Sequence, residues 1–275
     1  MELTLQTRVR LNNGVEMPVL GLGVWSIPAG GPARRAVRVA LECGYRLIDT
    51  AKIYGNEADV GAAVRESGVP RDDVFVTTKV WGSDQGYAST LRAFEESRQR
   101  LGLEVVDLYL IHWPVERLRA KTWDAMVELL KSGRCRAIGV SNYTVRHLRE
   151  NLAKPTVVPA VDQVEFHPFL YEKALVHFCD ANGIAVEAYS PLTRGRRLRD
   201  RTIGAVARKY RKSAAQILIR WSLQHGLIAI PKSAKPDHIR ENSEVFDFEL
   251  AEEDMAVLDA LDESYHTDWD PTDAP

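Results

Sequence analysis

Eight short apolar runs, at residues 20–25, 46–49, 74–79, 106–112, 137–141, 160–164, 185–189 and 227–231, recur along the sequence with polar-patterned stretches between them. Each has the length of a strand buried on both faces, and stretches such as 33–43, 90–101, 121–131 and 213–225 space their apolar residues at helical period. A helix between two strands carries the chain back across the sheet, so the strands it joins run parallel. Eight such units predict an α/β fold closed into a (β/α)8 TIM barrel. An open doubly wound sheet would carry Gly-x-Gly-x-x-Gly after a strand, and none of the runs is followed by one.

Before the first run, apolar residues alternate around Asn12-Asn13-Gly14, and Asn-Gly between short apolar runs signals a hairpin. The expected organisation is therefore one domain over residues 1–275, with a hairpin cap at 1–19 and a short tail at 262–275. Nothing along the chain reads as a linker or a second composition zone. With 36 Lys and Arg against 38 Asp and Glu, the net charge of −2 gives no reason to expect nucleic acid or a membrane surface, so small molecules are the expected partners. Cys43, Cys135 and Cys179 are odd in number and far apart, which fits reduced thiols and a cytoplasmic location. Residues 1–10 lack the apolar core of a signal peptide, and no stretch approaches the length of a spanning helix.

Chemistry gathers where the runs end, the rim on which barrel active sites are built. Asp49, Lys79 and His112 end three successive runs, and Tyr54 lies just past Asp49 beside Gly55. Singly, these residues read as a helix cap, a rim charge, a core histidine and a loop aromatic. Three successive strand ends converging on one rim favour a site. A metal-dependent hydrolase would need a cluster of ligands such as His-x-His, and the seven histidines include none.

Through Asp49-Thr50-Ala51-Lys52-Ile53-Tyr54-Gly55-Asn56-Glu57, Lys79-Val80-Trp81 and Ile111-His112-Trp113-Pro114 the sequence resembles the aldo-keto reductases. Gly139-Val140-Ser141-Asn142-Tyr143, Gln163-Val164-Glu165-Phe166-His167-Pro168, Ala188-Tyr189-Ser190-Pro191-Leu192 and Ile230-Pro231-Lys232-Ser233 extend the resemblance, in order, over nearly the whole chain. It implies carbonyl reduction with Tyr54 as general acid, Lys79 and Asp49 as the ion pair behind it, and His112 orienting the carbonyl. A free phenol titrates near pKa about 10, and a neighbouring ammonium is expected to lower that value.

The hydride must come from a nicotinamide cofactor. By resemblance, Ser141, Asn142 and Gln163 bind its carboxamide, Tyr189 stacks on its ring, and Ser190 and Leu192 follow in the same site. Ser141-Asn142 also reads as a helix N-cap before residue 145. Lys232 and Ser233 correspond to the family's 2′-phosphate site and Asn242 to its adenine contact, so NADPH is implied. His238, however, stands where NADPH-preferring members carry Arg, and histidine is mostly neutral at pH 7, which leaves NADH use open. Arg194, Arg196, Arg197, Arg199 and Arg201 crowd the next loop, either clasping phosphates or facing solvent.

Trp25, Trp81 and Trp113 sit beyond strand ends and read as an apolar substrate funnel. The short loop at 114–121 and short tail resemble the compact prokaryotic branch that includes 2,5-diketogluconate reductases. Small aldehydes, α-dicarbonyls or keto-sugars are the implied substrates, and a monomer the implied state. A cofactor-binding regulatory or structural protein on the same fold is the alternative.

Overall fold

The computed structural model describes residues 3–153, 157–272 and 274; residues 1 and 2 of the expected cap and 273 and 275 of the expected tail lie outside the described residues. Strands β1 (Arg8–Arg10) and β2 (Glu16–Pro18) pair antiparallel, Val9 opposite Met17. Gly14 sits at φ 86°, where a side chain would be strained, and its amide donates to Leu11 O at 2.9 Å to close the turn. The hairpin seals the barrel floor. Leu11 and Met17 pack with Leu47, Phe75 and Leu108, and the side-chain amides of Asn12 and Asn13 donate to Pro159 O and Arg136 O at 2.9 Å each.

Eight parallel strands follow: β3 (Leu22–Gly23), β4 (Leu47–Asp49), β5 (Phe75–Val80), β6 (Val106–Ile111), β7 (Cys135–Ser141), β8 (Val161–Glu165), β9 (Ala185–Tyr189) and β10 (Ile228–Ala229). They are hydrogen-bonded in chain order. Single bridges at Leu20–Ala229 and Gly23–Lys232 join the first to the last, which closes the barrel and leaves its eight-stranded sheet without a free edge. Closure by isolated bridges explains why the first and last apolar runs keep only two ladder residues each. Gly139 permits the tight β7–β8 contact, since a Cβ there would fall 2.4 Å from Val161 O.

Between and after the strands run α1 (Pro32–Glu42), α2 (Glu57–Glu66), α3 (Tyr87–Leu101), α4 (Arg119–Lys131), α5 (Val145–Leu152) and α6 (Lys173–Ala181). Two helices, α7 (Arg201–Tyr210) and α8 (Ala214–Gln224), follow β9, and α9 (Pro236–Ser243) and α10 (Glu252–Asp259) follow β10. Ser213 caps α8 with a reciprocal Gln216 contact, as the run starting at 213 predicts. One expectation is corrected. The N-cap of α5 is Thr144, whose amide is bonded by His147 Nδ1, and Ser141-Asn142 instead face the barrel mouth.

Alternate strand residues point in and out. Ile48, Val76, Tyr109, Ile138 and Ala188 pack outward against the helices, while Leu47, Phe75, Leu108, Ala137 and Val161 fill the lower interior. Burying a side chain of that size contributes about 1.5–3 kcal/mol. Continued upward, the same inward phase delivers Asp49, Lys79, Ser141, Gln163 and Glu187, all 2% exposed or less, to one end. This inward polar set is thus gathered at the C-terminal rim.

Candidate active site

The motif around Tyr54 is a braced loop. After β4, residues Lys52–Tyr54 form a 3₁₀ turn that ends at Gly55, φ 69°. Buried Asn56 donates to Val24 O and Ile27 O (3.0 and 3.1 Å) and accepts from Thr50 Oγ1 (2.8 Å), tying this loop to the one after β3. Glu57 accepts from Thr78 Oγ1 at 2.6 Å and anchors the loop to β5.

Below Tyr54, Lys79 is fully buried. Its ammonium donates to Asp49 Oδ1 and Oδ2 (2.7 and 2.6 Å) and to Thr50 O (3.0 Å), which uses all three of its protons. Nζ lies 5.2 Å from the centre of the Tyr54 ring. The His112 ring stands edge-on to Tyr54 at 5.6 Å and to Trp81 at 5.1 Å. All four predicted ionisable residues therefore meet at one point.

The expected electrostatics need correction. Burial, followed by the Asp49 carboxylate, holds the Tyr54 phenol well above its ordinary range. Lys79 does not reverse this, because its charge is matched by Asp49 and none of its protons is left for the phenol. Burial, then Lys79, holds His112 well below the usual histidine range, so its ring is neutral. Among the described residues His112 Nδ1 is sealed without a partner, which leaves Nε2 as the ring nitrogen open to the cavity.

These groups floor a cleft of about 750 Å³. Trp25, Trp81 and Trp113 line its mouth, Trp25 being 42% exposed, and Trp269 from the tail packs against Trp113 at 5.1 Å. Along one wall lie Ser141, Asn142, Gln163, Tyr189, Ser190 and Leu192; the far end holds Lys232, Ser233 and His238 beside the start of α9. Of the predicted residues, Lys79 lies beneath the lining and Asn242 is buried on α9 outside it.

The wall's donors are largely engaged. Ser141 Oγ donates to Gln163 O (2.7 Å), Asn142 Nδ2 to His112 O (2.9 Å) and Ser141 Oγ (3.1 Å), and Tyr189 OH to Asn142 Oδ1 (2.8 Å). Gln163 Nε2 donates to Asp49 Oδ2 (2.8 Å) and Glu187 Oε2 (2.7 Å). The wall consequently offers a ligand mainly acceptor oxygens.

Only Arg194 of the five loop arginines lines the cleft. It lies 4.2 Å over the Trp25 ring and pairs with Asp268, while Arg197 pairs with Glu263 and covers Tyr265. Buried Glu165 accepts from the amides of Thr267 (2.9 Å) and Asp268 (3.2 Å), holding the tail at the mouth. His167, read as structural, donates to Glu165 at 3.1 Å. Sequence reasoning missed Glu187, Lys235 and Asp268. An acid in the inward phase of the otherwise apolar 185–189 run was a usable signal; Asp268 had none, because its place depends on how the tail folds back. Among the described residues, no three His, Cys, Asp or Glu side chains are grouped to hold a metal, and no helix is long and apolar enough to cross a membrane.

A closed (β/α)8 barrel with a hairpin floor and these four residues at its rim defines a class, and residues 19–263 match the model of the Aldo/keto reductase family. The chain belongs to that family and is an oxidoreductase of it. It is 51% identical over 261 residues to the glyoxal reductase of Bacillus subtilis strain 168, covering 95% of each chain. A Bombyx mori aldo-keto reductase solved in complex with NADP superposes with a TM-score of 0.90 at 35% identity, over 95% of this chain and 94% of that one. A variant of Gox0644 solved with NADPH gives 0.92 at 42%, over 98% and 99%.

Proposed function

We propose that this aldo-keto reductase takes NADPH, with NADH as a weaker alternative, and reduces small aldehydes, α-dicarbonyls or keto-sugars to alcohols. The observation that carries this reading is the cleft floor, where Tyr54 and neutral His112 stand side by side above the buried Lys79–Asp49 pair. The cofactor, when bound, supplies the hydride that no side chain can.

Tyr54 gives its proton to the carbonyl oxygen as negative charge develops there. Its raised pKa keeps it protonated, and transfer still runs downhill, because an alkoxide is about as basic as hydroxide. His112 donates from Nε2 to the same oxygen and fixes its position. The tryptophans shield the reacting carbon from water. Toward the cofactor, the Gln163 oxygen suits a carboxamide NH2, with Ser141 and Asn142 beside it and the Tyr189 ring as a stacking face. Ser190 and Leu192, which line the same cleft, would hold the pyrophosphate and Asn242 the adenine.

Cations recommend the phosphorylated cofactor: Lys232 and Lys235 both line the far end, with Ser233 and His238 between and beside them. The cleft at about 750 Å³ joins that end to the floor, as an extended dinucleotide requires. The same proposal takes residues 1–275 as one domain acting as a cytoplasmic monomer, consistent with three free cysteines.

The test is consumption of NADPH and of NADH with methylglyoxal, an aromatic aldehyde and a keto-sugar. Turnover faster with NADPH is expected. Tight NADPH binding with no turnover on any of the three would overturn the proposal in favour of a binding role.

A further inference from the structure

Glu187 is fully buried in the barrel interior, and the chemistry above gives it no task. Its register partner on β8 is Gln163, whose partner on β7 is Ser141, so three inward side chains form one row across three strands. Glu187 Oε2 and Asp49 Oδ2 both accept from Gln163 Nε2, at 2.7 and 2.8 Å. A primary amide nitrogen carries two hydrogens, so both are spent. Nor can the amide turn over. Its oxygen would then face the Asp49 carboxylate, acceptor against acceptor. What remains to address the cleft is Gln163 Oε1.

We infer that Glu187 is a positioning residue which, with Asp49, locks the Gln163 amide with its carbonyl oxygen toward the cleft as a fixed acceptor for the carboxamide NH2 of the nicotinamide. The identity of that ligand rests on the cofactor reading above. Glu187 does this as a neutral acid. Its Oε1 has no partner among the described residues, and burial, then the charge of Asp49, pushes the carboxyl up to about 8. With the proton on Oε1, Oε2 still accepts, and no second negative charge is placed beside Asp49 beneath Tyr54. An apolar residue at 187 would match the packing but free one amide hydrogen and leave Asp49 as the single anchor, about which the Gln163 amide can swing its oxygen out of line.

The experiment compares calorimetric binding of NADPH with that of its 3-acetylpyridine analogue, in which a methyl group replaces the carboxamide NH2. In the wild type NADPH should bind about fivefold more tightly, the weight of one net hydrogen bond. In Glu187→Leu the gap should shrink below about twofold as Gln163 loses its orientation. Glu187→Ala tests the same point without branched bulk if the leucine variant does not fold. Glu187→Gln keeps an acceptor oxygen at the same reach and should restore the gap. An undiminished gap in the folded leucine or alanine variant, or equal weakening of both ligands, would reduce Glu187 to a stabilising role and overturn the inference. No gap in the wild type would also overturn it. Failure of the wild type to bind NADPH at all would instead sink the cofactor reading.

Discussion

Replacing Asp49 with Asn removes the counter-charge of an ammonium that has no exposure to solvent, its own carboxylate being only 3% exposed. Two of the three Lys79 hydrogen bonds end on that carboxylate, so the variant leaves a buried charge with only Thr50 O and a neutral amide for company. Breaking a buried pair from one side typically costs about 3–5 kcal/mol. At roughly 2–4 °C per kcal/mol for a domain approaching this size, the melting temperature should fall by on the order of 10 °C. Lys79→Met should cost a similar amount by stranding the carboxylate. The double variant Asp49→Asn/Lys79→Met strands neither charge, and should recover to within about 2 kcal/mol of the wild type, since apolar replacement of a whole buried pair is often close to neutral. Urea unfolding followed by tryptophan fluorescence measures all four proteins. If the loss in the double variant equals the sum of the two single losses, the pair is not coupled and the reasoning about Lys79 is wrong. Activity should be poor in all three variants, which separates recovered stability from recovered function.

Tyr54→Phe should retain NADPH binding and melting temperature while carbonyl reduction falls about 100- to 10,000-fold, measured by cofactor consumption; retained turnover would remove Tyr54 as the acid. Because burial holds the wild-type phenol protonated, alcohol oxidation, which needs phenolate, should be slow at neutral pH and climb toward alkaline pH, whereas reduction should not climb. His238→Arg should raise the NADPH to NADH affinity ratio by up to about fivefold, an exposed ion pair being worth up to about 1 kcal/mol; an unchanged ratio assigns selectivity to Lys232 and Lys235. Glu187 sets a pH signature of its own: the folded carboxyl titrates at about 8 instead of 4.5, so the native state keeps a proton that the unfolded chain releases in that window. Wild-type stability should therefore fall relative to Glu187→Gln as pH rises from about 4.5 to about 8, read from urea midpoints, and a constant difference would contradict the buried neutral acid.

Much of this protein is written locally in its sequence. The eight apolar runs, their helical intervals and the Asn-Gly turn determine the barrel and its hairpin floor, because strand burial and turn geometry depend on residues only a few positions apart. The rim residues were legible for the same reason: strand phase says which side chains point inward and strand ends say where the polar ones gather. Tertiary structure alone decided who meets whom across the interior. Asp49 and Gln163 are 114 positions apart, and no periodicity records that one amide would bridge that carboxylate to Glu187. The burial that keeps the Tyr54 phenol protonated, and the saturation of Lys79 by Asp49 that leaves it no ammonium proton, depend on tertiary distances that a pattern does not carry. The tail reached the mouth by the same route, Glu165 fixing Thr267 and Asp268 so that Arg194 and Trp113 acquire partners from the far end of the chain. Sequence pattern assigns each residue a face; only closure of the barrel assigns it a neighbour.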